Sequence, residues 1–161
     1  TDILILPGVG SYRIAMQTLR KLRLDKAIIE SVRGRKRKLL GICLGIQLMA
    51  EQGSEDGETN GLGFIPTRVD RFDKIKTKGL KIPHVGFNHV CCDPQSILFK
   101  EIPSPSDFYF VHSYRLLPQG LSGYLGTCMY GHEFLASFEC ENIFATQFHP
   151  EKSQKVVLKL L

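Results

Sequence analysis

The stretch "LLGICLGIQLM", residues 39–49, places a cysteine between two glycines at the end of an apolar run. "KLLGIC" (38–43) predicts a short buried strand, and "LGIQLMAEQ" (44–52) predicts a helix directly after it. A strand, a tight turn and a helix, with small residues two before and two after a reactive side chain, form a nucleophile elbow. Gly41 and Gly45 fit this pattern, because larger side chains would collide with neighbouring backbone in so tight a turn.

An elbow at this position would give Cys43 a reactive environment. The positive end of a helix dipole lowers the pKa of a thiol, so we expect a thiolate at the start of the helix. The backbone N–H of Leu44 would then be available to bind an oxyanion. A buried structural cysteine is the alternative, since free cysteine is among the most buried residue types. The stretch alone leaves both interpretations open.

A second motif, "QFHPEKSQ" (147–154), favours the catalytic interpretation. Proline fixes its own φ angle and restricts the preceding residue to extended geometry. In an extended segment, side chains two residues apart share a face, so His149 and Glu151 should lie side by side. The carboxylate can hold one ring nitrogen while the other faces the thiol. A loop histidine is the alternative for His149 alone, but not for this combination.

Length and composition indicate one globular domain over residues 1–161. Of the 161 residues, 43% are hydrophobic and 23% are charged, as in ordinary globular proteins. No apolar run approaches the ~20 residues of a membrane span, and no signal peptide opens the chain. The five cysteines include no C-x-x-C pair, which argues against a disulfide framework or a zinc site. We expect a cytoplasmic protein without membrane association, metal or cofactor.

The basic run "RGRKRK" (33–38) contains five of the 21 lysines and arginines. Such a run can mark a nucleic-acid or anion site. It can also be a solvated helix end, where cations suit the negative pole of the dipole. No aromatic platform or basic repeat accompanies it, so we favour the helix end and expect no nucleic-acid partner.

Periodicity along the chain predicts strands and helices in alternation, followed by a strand-rich second half. "DILIL" (2–6) reads as a strand, and a helix follows the turn "PGVGS" (7–11). A second helix is predicted to begin at Asp25, a good N-cap residue. After the loop 53–63, six segments read as strands: "IPTRVDRF", "KIPHVGFNHVCC", "FYFVHSYRL", "GYLGTCMY", "EFLASFEC" and "IFATQFH". A final helix is predicted over 153–161.

The motifs "PGVGS", "GICLGIQLM", "PHVGFN", "FYFVHSY" and "QFHPEKSQ", in this order, resemble the class I glutamine amidotransferases. Within that class they are most similar to the glutaminase subunits of imidazole glycerol phosphate synthases. The resemblance covers nearly all of the chain. It implies an α/β fold with an open, mostly parallel, flavodoxin-like sheet and flanking helices. It also implies a first strand–helix unit before Thr1, so we expect an incomplete N-terminus.

The resemblance implies that Cys43 attacks the side-chain amide of glutamine, releases ammonia and leaves a glutamyl thioester that water hydrolyses. His149 would transfer the protons and Glu151 would orient it. The oxyanion hole would be completed by the loop 8–10, through Val9 and Gly10, together with Leu44.

Four further positions match the glutamine-binding residues of the family. Gln47 and Glu55 are implied to contact the substrate, with Glu55 suited to its α-ammonium group. The backbone at Ser113 and Tyr114 is implied to hold the α-carboxylate. Taken without the resemblance, Glu55 in "GSEDG" would be a solvated loop acid.

The family passes its ammonia to a partner, a (β/α)8-barrel cyclase subunit with which it forms a heterodimer on the histidine pathway. Tyr109 and Lys152 match positions at that interface and the ammonia passage. Without the resemblance, Tyr109 would be a core aromatic residue and Lys152 a surface lysine.

Three other functions are weighed against this one. Phe87 stands where the histidine-pathway enzymes usually carry Trp, so a paralogous glutaminase that feeds amidino- or amino-sugar synthesis for bacterial surface polysaccharides is an alternative. A non-catalytic scaffold subunit is another. A cysteine hydrolase of the α/β-hydrolase kind is disfavoured, because its acid precedes its histidine, whereas here His149 precedes Glu151.

Overall fold

The strands and helices account for most of the chain. The structure is a computed structural model that describes residues 3–75, 77 and 79–153. Its strands are β1 Ile3–Leu6, β2 Lys38–Ile42, β3 Ala50–Gly53, β4 Thr59–Asn60, β5 Ile65–Arg71, β6 His84–Cys92, β7 Ser106–His112, β8 Tyr114–Leu116, β9 Tyr124–Tyr130, β10 His132–Cys140 and β11 Ile143–Thr146. Its α-helices are α1 Tyr12–Lys21, α2 Leu24–Ile29 and α3 Leu44–Leu48. A π-helical turn spans Glu30–Gly34, and two 3₁₀ turns span Ile97–Phe99 and Pro150–Lys152.

The main sheet has seven strands in the order β1-β2-β11-β10-β9-β6-β7. β2 pairs in parallel with β1 on one side and with β11 on the other. The other four pairings of this sheet are antiparallel. The α/β class is therefore confirmed, but the sheet is mixed rather than mostly parallel over the described residues.

The parallel part of this sheet positions the functional site. The carboxyl ends of β1, β2 and β11 lie side by side, since Leu6 pairs with Gly41 and Thr146 with Ile42. Three predicted segments follow these ends: the loop 7–10, Cys43 and the segment 147–149. Ligands of open α/β sheets bind at this edge.

A second sheet, in the order β4-β3-β5-β8, corrects one predicted helix. The helix predicted over 44–52 ends at Leu48, and Ala50–Gly53 is a strand parallel to β5. The carbonyl oxygen of Met49 accepts hydrogen bonds from the N–H groups of Phe64 and Ile65, at 2.8 and 2.9 Å. These donors lie far along the chain, and their hydrogen bonds stabilise a strand at residues 50–53 instead of a longer helix. Local periodicity cannot indicate such long-range contacts.

The remaining helices and strands are of the predicted type, but their first and last residues differ from the predicted ones. The six strand-like segments after residue 63 are strands, and "FYFVHSYRL" divides into β7 and β8. The second helix begins at Leu24, not after a cap at Asp25; its N-cap is Arg23, with φ 57°. Asp25 instead lies in the first turn, where a carboxylate suits the helix dipole. The helix predicted over 153–161 lies, from residue 154 on, outside the described residues.

The basic run begins within the π-helical turn, at Arg33, and makes contacts within the chain. Arg33 donates to the carbonyl oxygen of Gly63 at 2.6 Å, and its guanidinium lies 5.4 Å from the ring centre of Phe64. Lys36 lies 3.8 Å from a carboxylate oxygen of Glu141. These contacts support the interpretation as a solvated helix end.

Two hydrophobic clusters form the core. The larger one fills the space between the parallel strands, α1, α3 and the second sheet; it includes Tyr12, Met16, Leu39, Ile46, Met49, Ile65, Leu116 and Leu135. The other lies under the antiparallel strands and is mostly aromatic; it includes Phe72, Phe99, Phe108, Phe110, Phe134 and Phe148. No helix within the described ranges is both long and apolar enough to cross a membrane.

The two elbow glycines allow α3 to pack closely against the ends of β1 and β2. A methyl group at Gly45 would overlap the carbonyl oxygen of Leu6. One at Gly41 would lie 3.0 Å from the backbone of Gly45 and Ile46. The steric reason predicted for both glycines is therefore confirmed.

We predict that Gly45→Ala destabilises the fold by about 1–3 kcal/mol or more, because the added methyl must push α3 away from β1. Gly34→Ala is the matched control. A methyl group there would meet only the Glu30 carboxylate, the end of a flexible side chain. Urea unfolding of both variants measures the difference; equal midpoints would contradict the close contact.

Candidate active site

Cys43 sits in a strained turn between β2 and α3. Its φ and ψ angles are 55° and −105°, in a region that non-glycine residues rarely occupy. Its N–H donates to the carbonyl oxygen of Thr146 at 2.8 Å, which ties the turn to the end of β11. Strain of this kind clusters at functional sites. The observed outlier thus supports the elbow interpretation.

The predicted thiolate is wrong for the structure described here. The side chain of Cys43 is buried, with 7% exposure. Burial raises the pKa of the Cys43 thiol to about 11, against a smaller lowering by the N–H of Leu44. Helix α3 has only five residues, so few peptide dipoles add up to oppose desolvation. The thiol therefore needs a base to take its proton.

His149 is placed to be that base. Its Nδ1 lies 2.7 Å from Oε1 of Glu151, whereas its Nε2 is buried and has no hydrogen-bond partner in the described part of the chain. The N–H of His149 donates to the carbonyl oxygen of Tyr109 at 2.9 Å and fixes the backbone. One ring nitrogen is thus held and the other is available.

The predicted reason for the His149–Glu151 contact is only half right. His149 is extended, with φ −94° and ψ 101°. The next three residues, Pro150–Lys152, form a 3₁₀ turn rather than a strand. The turn still brings the carboxylate to the imidazole. The Glu151 side chain is half exposed.

The predicted oxyanion donor of Leu44 is occupied. Its N–H donates to the carbonyl oxygen of Gly8 at 3.3 Å, so the loop 8–10 turns an acceptor, not a donor, toward this position. The loop is otherwise loosely held: Val9 is 80% exposed, and Gly10 has φ 105° with open space around it. A rotation of the Gly8–Val9 peptide would exchange the carbonyl for an N–H.

Gln47 is held from two sides. Its Nε2 donates to the carbonyl oxygen of Tyr114 and to Oε1 of Gln147, both at 3.0 Å. The Tyr114 carbonyl also accepts from Nδ1 of His112 at 2.8 Å. The turn at Ser113 is fixed in addition by the N–H of Phe72, which donates to its carbonyl oxygen at 3.0 Å.

Glu55 anchors its loop on the start of helix α1. Its Oε2 accepts from the N–H of Tyr12 at 2.7 Å. Its neighbour Asp56 accepts from the hydroxyl of Ser11, the N-cap of α1, also at 2.7 Å. Glu55 is therefore not a freely solvated acid, which was its interpretation without the family resemblance.

One cavity of about 490 Å³ brings most of these residues together. Its lining is Val9, Gly10, Ser11, Cys43, Leu44, Gln47, Glu55, Pro83, Val111, His112, Ser113, Tyr114 and His149. Every predicted catalytic, oxyanion and substrate residue contributes except Glu151, which contacts His149 and lines a neighbouring, mostly apolar groove. The cavity thus combines a nucleophile, a base and a carboxylate.

Tyr109 and Lys152 lie outside the cavity and contact each other. Nζ of Lys152 is 5.8 Å from the ring centre of Tyr109. The ring of Tyr109 is also 5.4 Å from that of Phe87, in an edge-to-face arrangement. Phe87 is 52% exposed. These side chains form a surface next to the segment 147–149, which includes His149.

Sequence reasoning missed His112 and Gln147. His112 lines the cavity and holds the Tyr114 carbonyl, and Gln147 is buried between Gln47 and the elbow. Strand β11 ends at Thr146 and the chain bends at residues 147 and 148. No local signal of spacing therefore identifies Gln147. Metal binding is not suggested: within the described ranges, no three or more side chains of His, Cys, Asp or Glu are grouped to hold an ion.

Comparison with known proteins gives a family match and close relatives. The family model described as glutamine amidotransferase class-I matches residues 1–157. Imidazole glycerol phosphate synthase subunit HisH 1 of Campylobacter jejuni (strain 81-176) is 47% identical over 99% of this chain and 78% of that protein. The HisH subunit of Pelagibacter ubique is 40% identical over 100% of this chain and 77% of that protein.

A solved structure supports the fold. The chain titled "Crystal structure of glutamine amidotransferase" superposes with a TM-score of 0.68 over 98% of this chain and 75% of that one. Its sequence identity is 18%. At that identity the likeness shows the fold alone.

We predict that alkylation of Cys43 by iodoacetamide, in the protein without glutamine, speeds up with pH and reaches no plateau below about pH 10. The reason is that burial raises the thiol pKa to about 11, and only the thiolate reacts. Mass spectrometry of the Cys43 peptide separates its labelling from that of the exposed Cys91. A plateau between pH 6 and 7 would mean that Cys43 is a thiolate at rest.

Proposed function

Because the chain belongs to the class I glutamine amidotransferases, we propose that it is the glutamine-hydrolysing subunit of an imidazole glycerol phosphate synthase in histidine biosynthesis. The close HisH relatives cover nearly the whole chain and support this assignment. The main support for this reaction is the shared cavity, which is lined by Cys43, His149 and the side chains suited to bind glutamine.

The first half of the reaction forms a covalent intermediate. Nε2 of His149 takes the proton of Cys43, and Sγ attacks the carboxamide carbon of glutamine. The C–N bond then breaks, and the imidazolium returns its proton to the leaving nitrogen, so ammonia departs and a glutamyl thioester remains. Glu151 keeps the proton on Nδ1 of His149 and stabilises the imidazolium.

The second half restores the thiol. His149 takes a proton from water, the hydroxyl attacks the thioester carbon, and the C–S bond breaks. The proton goes to Sγ and glutamate leaves. The sum is glutamine plus water giving glutamate plus ammonia, without metal or cofactor.

Substrate orientation follows from the charges around the cavity. Glu55 offers a carboxylate to the α-ammonium group of glutamine, at the edge near Ser11. The backbone at Ser113 and Tyr114 lies in the same cavity and would receive the α-carboxylate. This places the side-chain amide of glutamine toward Cys43.

The oxyanion hole requires a change in the loop 8–10. The N–H of Leu44 and the N–H of Val9 or Gly10 would bind the oxyanion, but here the Gly8 carbonyl occupies the Leu44 donor. Glycine at positions 8 and 10 makes a peptide rotation inexpensive. With the loop arranged in this way, we expect low activity.

A surface beside the site suits a protein partner. The outer face of the β6–β7 hairpin exposes Val85, Phe87 and Val111, with Tyr109 paired across from Phe87. Lys152 lies above Tyr109 and adds a cation at the rim. We call these five residues the docking face. Exposed apolar patches with a polar rim are typical of interfaces.

We propose that the docking face binds the cyclase subunit, a (β/α)8 barrel, in a heterodimer. The relatives are named as subunits, which implies a second chain. Val111 lines the cavity as well as the docking face, and the backbone of Tyr109 holds His149. Ammonia released at Cys43 would thus leave next to the partner.

The alternatives receive less support. The HisH relatives favour histidine biosynthesis over the polysaccharide paralogue, despite Phe87 at the position of a Trp. A scaffold subunit without activity would not need the strained turn at Cys43 or a buried imidazole with an available Nε2.

We predict that Cys43→Ala abolishes release of glutamate from glutamine and leaves binding to the cyclase subunit unchanged, because only the nucleophile is lost. Cys91→Ala is the matched control, since that cysteine is exposed and lies outside the cavity. Coupled glutamate detection and a binding titration measure both quantities. Comparable glutamate release by Cys43→Ala would rule out Cys43 as the nucleophile.

We also predict that glutaminase activity of the full-length subunit is weak alone and rises about 10²–10³-fold in the complex. This is the effect of one oxyanion donor in a comparable acyl-transfer site. Steady-state hydrolysis with and without the partner tests it. If the lone subunit is as fast as the complex, the Gly8 carbonyl does not limit the reaction.

A further inference from the structure

We propose that Gln147 is a positioning residue that fixes the side-chain amide of Gln47, so that its oxygen faces bound glutamine. The inference rests on the proposed function, because it concerns the same cavity. It assigns a role to a buried residue that does not itself line the cavity.

The orientation of Gln47 follows from a backbone carbonyl. The atom of its amide that lies 3.0 Å from the carbonyl oxygen of Tyr114 must be a donor, hence Nε2. The same nitrogen lies 3.0 Å from Gln147, which must therefore present its acceptor, Oε1. Both N–H bonds of Gln47 are thereby used.

The orientation of Gln147 is fixed independently at its other end. With Oε1 turned to Gln47, its Nε2 lies 3.5 Å from the carbonyl oxygen of Cys43, again a donor facing an acceptor. Its backbone N–H donates to Ala136 at 2.8 Å. A backbone carbonyl at each end of the chain of hydrogen bonds thus determines every amide orientation between Tyr114 and Cys43.

Two buried histidines hold the carbonyl group of Tyr114, at one end of this chain of hydrogen bonds. Nδ1 of His112 faces the Tyr114 carbonyl at 2.8 Å, so it carries the proton. Nε2 of a neutral His112 is then an acceptor for Nδ1 of His84, at 3.1 Å. Burial lowers the pKa of His112 to about 3 and that of His84 to about 4, so both stay neutral at the pH of an assay.

The consequence is chemical selectivity in the cavity. Oε1 of Gln47 accepts no hydrogen bond from any described residue, and Gln47 lines the cavity. The cavity therefore contains a fixed hydrogen-bond acceptor, Oε1 of Gln47. Only a flip of this amide could place a donor there, and the flip would break both hydrogen bonds of Nε2. A bound glutamine has donors to match it, in its ammonium and carboxamide groups. A flipped Gln47 would face those donors with its own N–H groups.

The experiment measures glutamine hydrolysis by the full-length subunit with its cyclase partner. Gln147→Met keeps the volume and removes both polar atoms. It should raise KM for glutamine about 3- to 10-fold, as expected for one neutral hydrogen bond, with kcat nearly unchanged, because the interaction acts on ground state and transition state alike. Gln147→Glu, whose carboxyl burial would keep protonated, retains an acceptor for Nε2 of Gln47 and a donor for the Cys43 carbonyl. It should restore KM to within about twofold of the wild type.

Ser96→Ala is the control for a merely structural effect. It removes a buried hydrogen bond to Glu139, of 2.6 Å, which lies apart from the cavity. It should lower the melting temperature without changing KM. An unchanged KM in Gln147→Met, or an equal rise in Gln147→Met and Gln147→Glu, would overturn the inference.

If Gln147→Met does not fold, Gln147→Asn provides the same test. Its shorter amide cannot reach Nε2 of Gln47 and should raise KM, whereas Gln147→Glu should not. Equal KM values for the two variants would overturn the inference. A wild-type complex that releases no glutamate would instead reject the proposed function.

Discussion

The close approach of helix α3 to strand β1 is the constraint on which the site depends. The backbone at Gly45 lies against the carbonyl oxygen of Leu6 at a distance that leaves no room for a side chain. This contact forces the chain to turn sharply at Cys43 and to adopt a positive φ there. Because β2 is paired on its other side with β11, the same turn faces the segment that carries His149. One backbone contact thus brings the nucleophile and the base to one edge of the sheet.

Local signals were sufficient for the parts of the site that lie within one short segment. The elbow follows from glycine spacing around Cys43. The separation by one proline predicts the contact of His149 with Glu151, although a 3₁₀ turn rather than an extended segment makes it. The α/β class follows from the alternation of strands and helices. These features depend on steric limits that act over a few residues, so a single sequence contains them.

Features set by distant groups could not be predicted. The strand Ala50–Gly53 forms because Met49 and its neighbours accept hydrogen bonds from the segment 62–65. The thiol pKa of Cys43 is raised by burial in the assembled core, which outweighs the short helix. The role of Gln147 depends on contacts with Gln47 and Cys43, which lie 100 and 104 residues away along the chain. Only the folded structure shows such pairings.

If Cys43 forms a glutamyl thioester during turnover, the intermediate can be trapped on the protein. The full-length subunit with its cyclase partner would be mixed with glutamine, quenched in acid during turnover and digested for mass spectrometry. We expect a glutamyl adduct on the Cys43 peptide that disappears when glutamine is exhausted. Steady release of glutamate with no adduct on Cys43, or with the adduct on another cysteine, would contradict it.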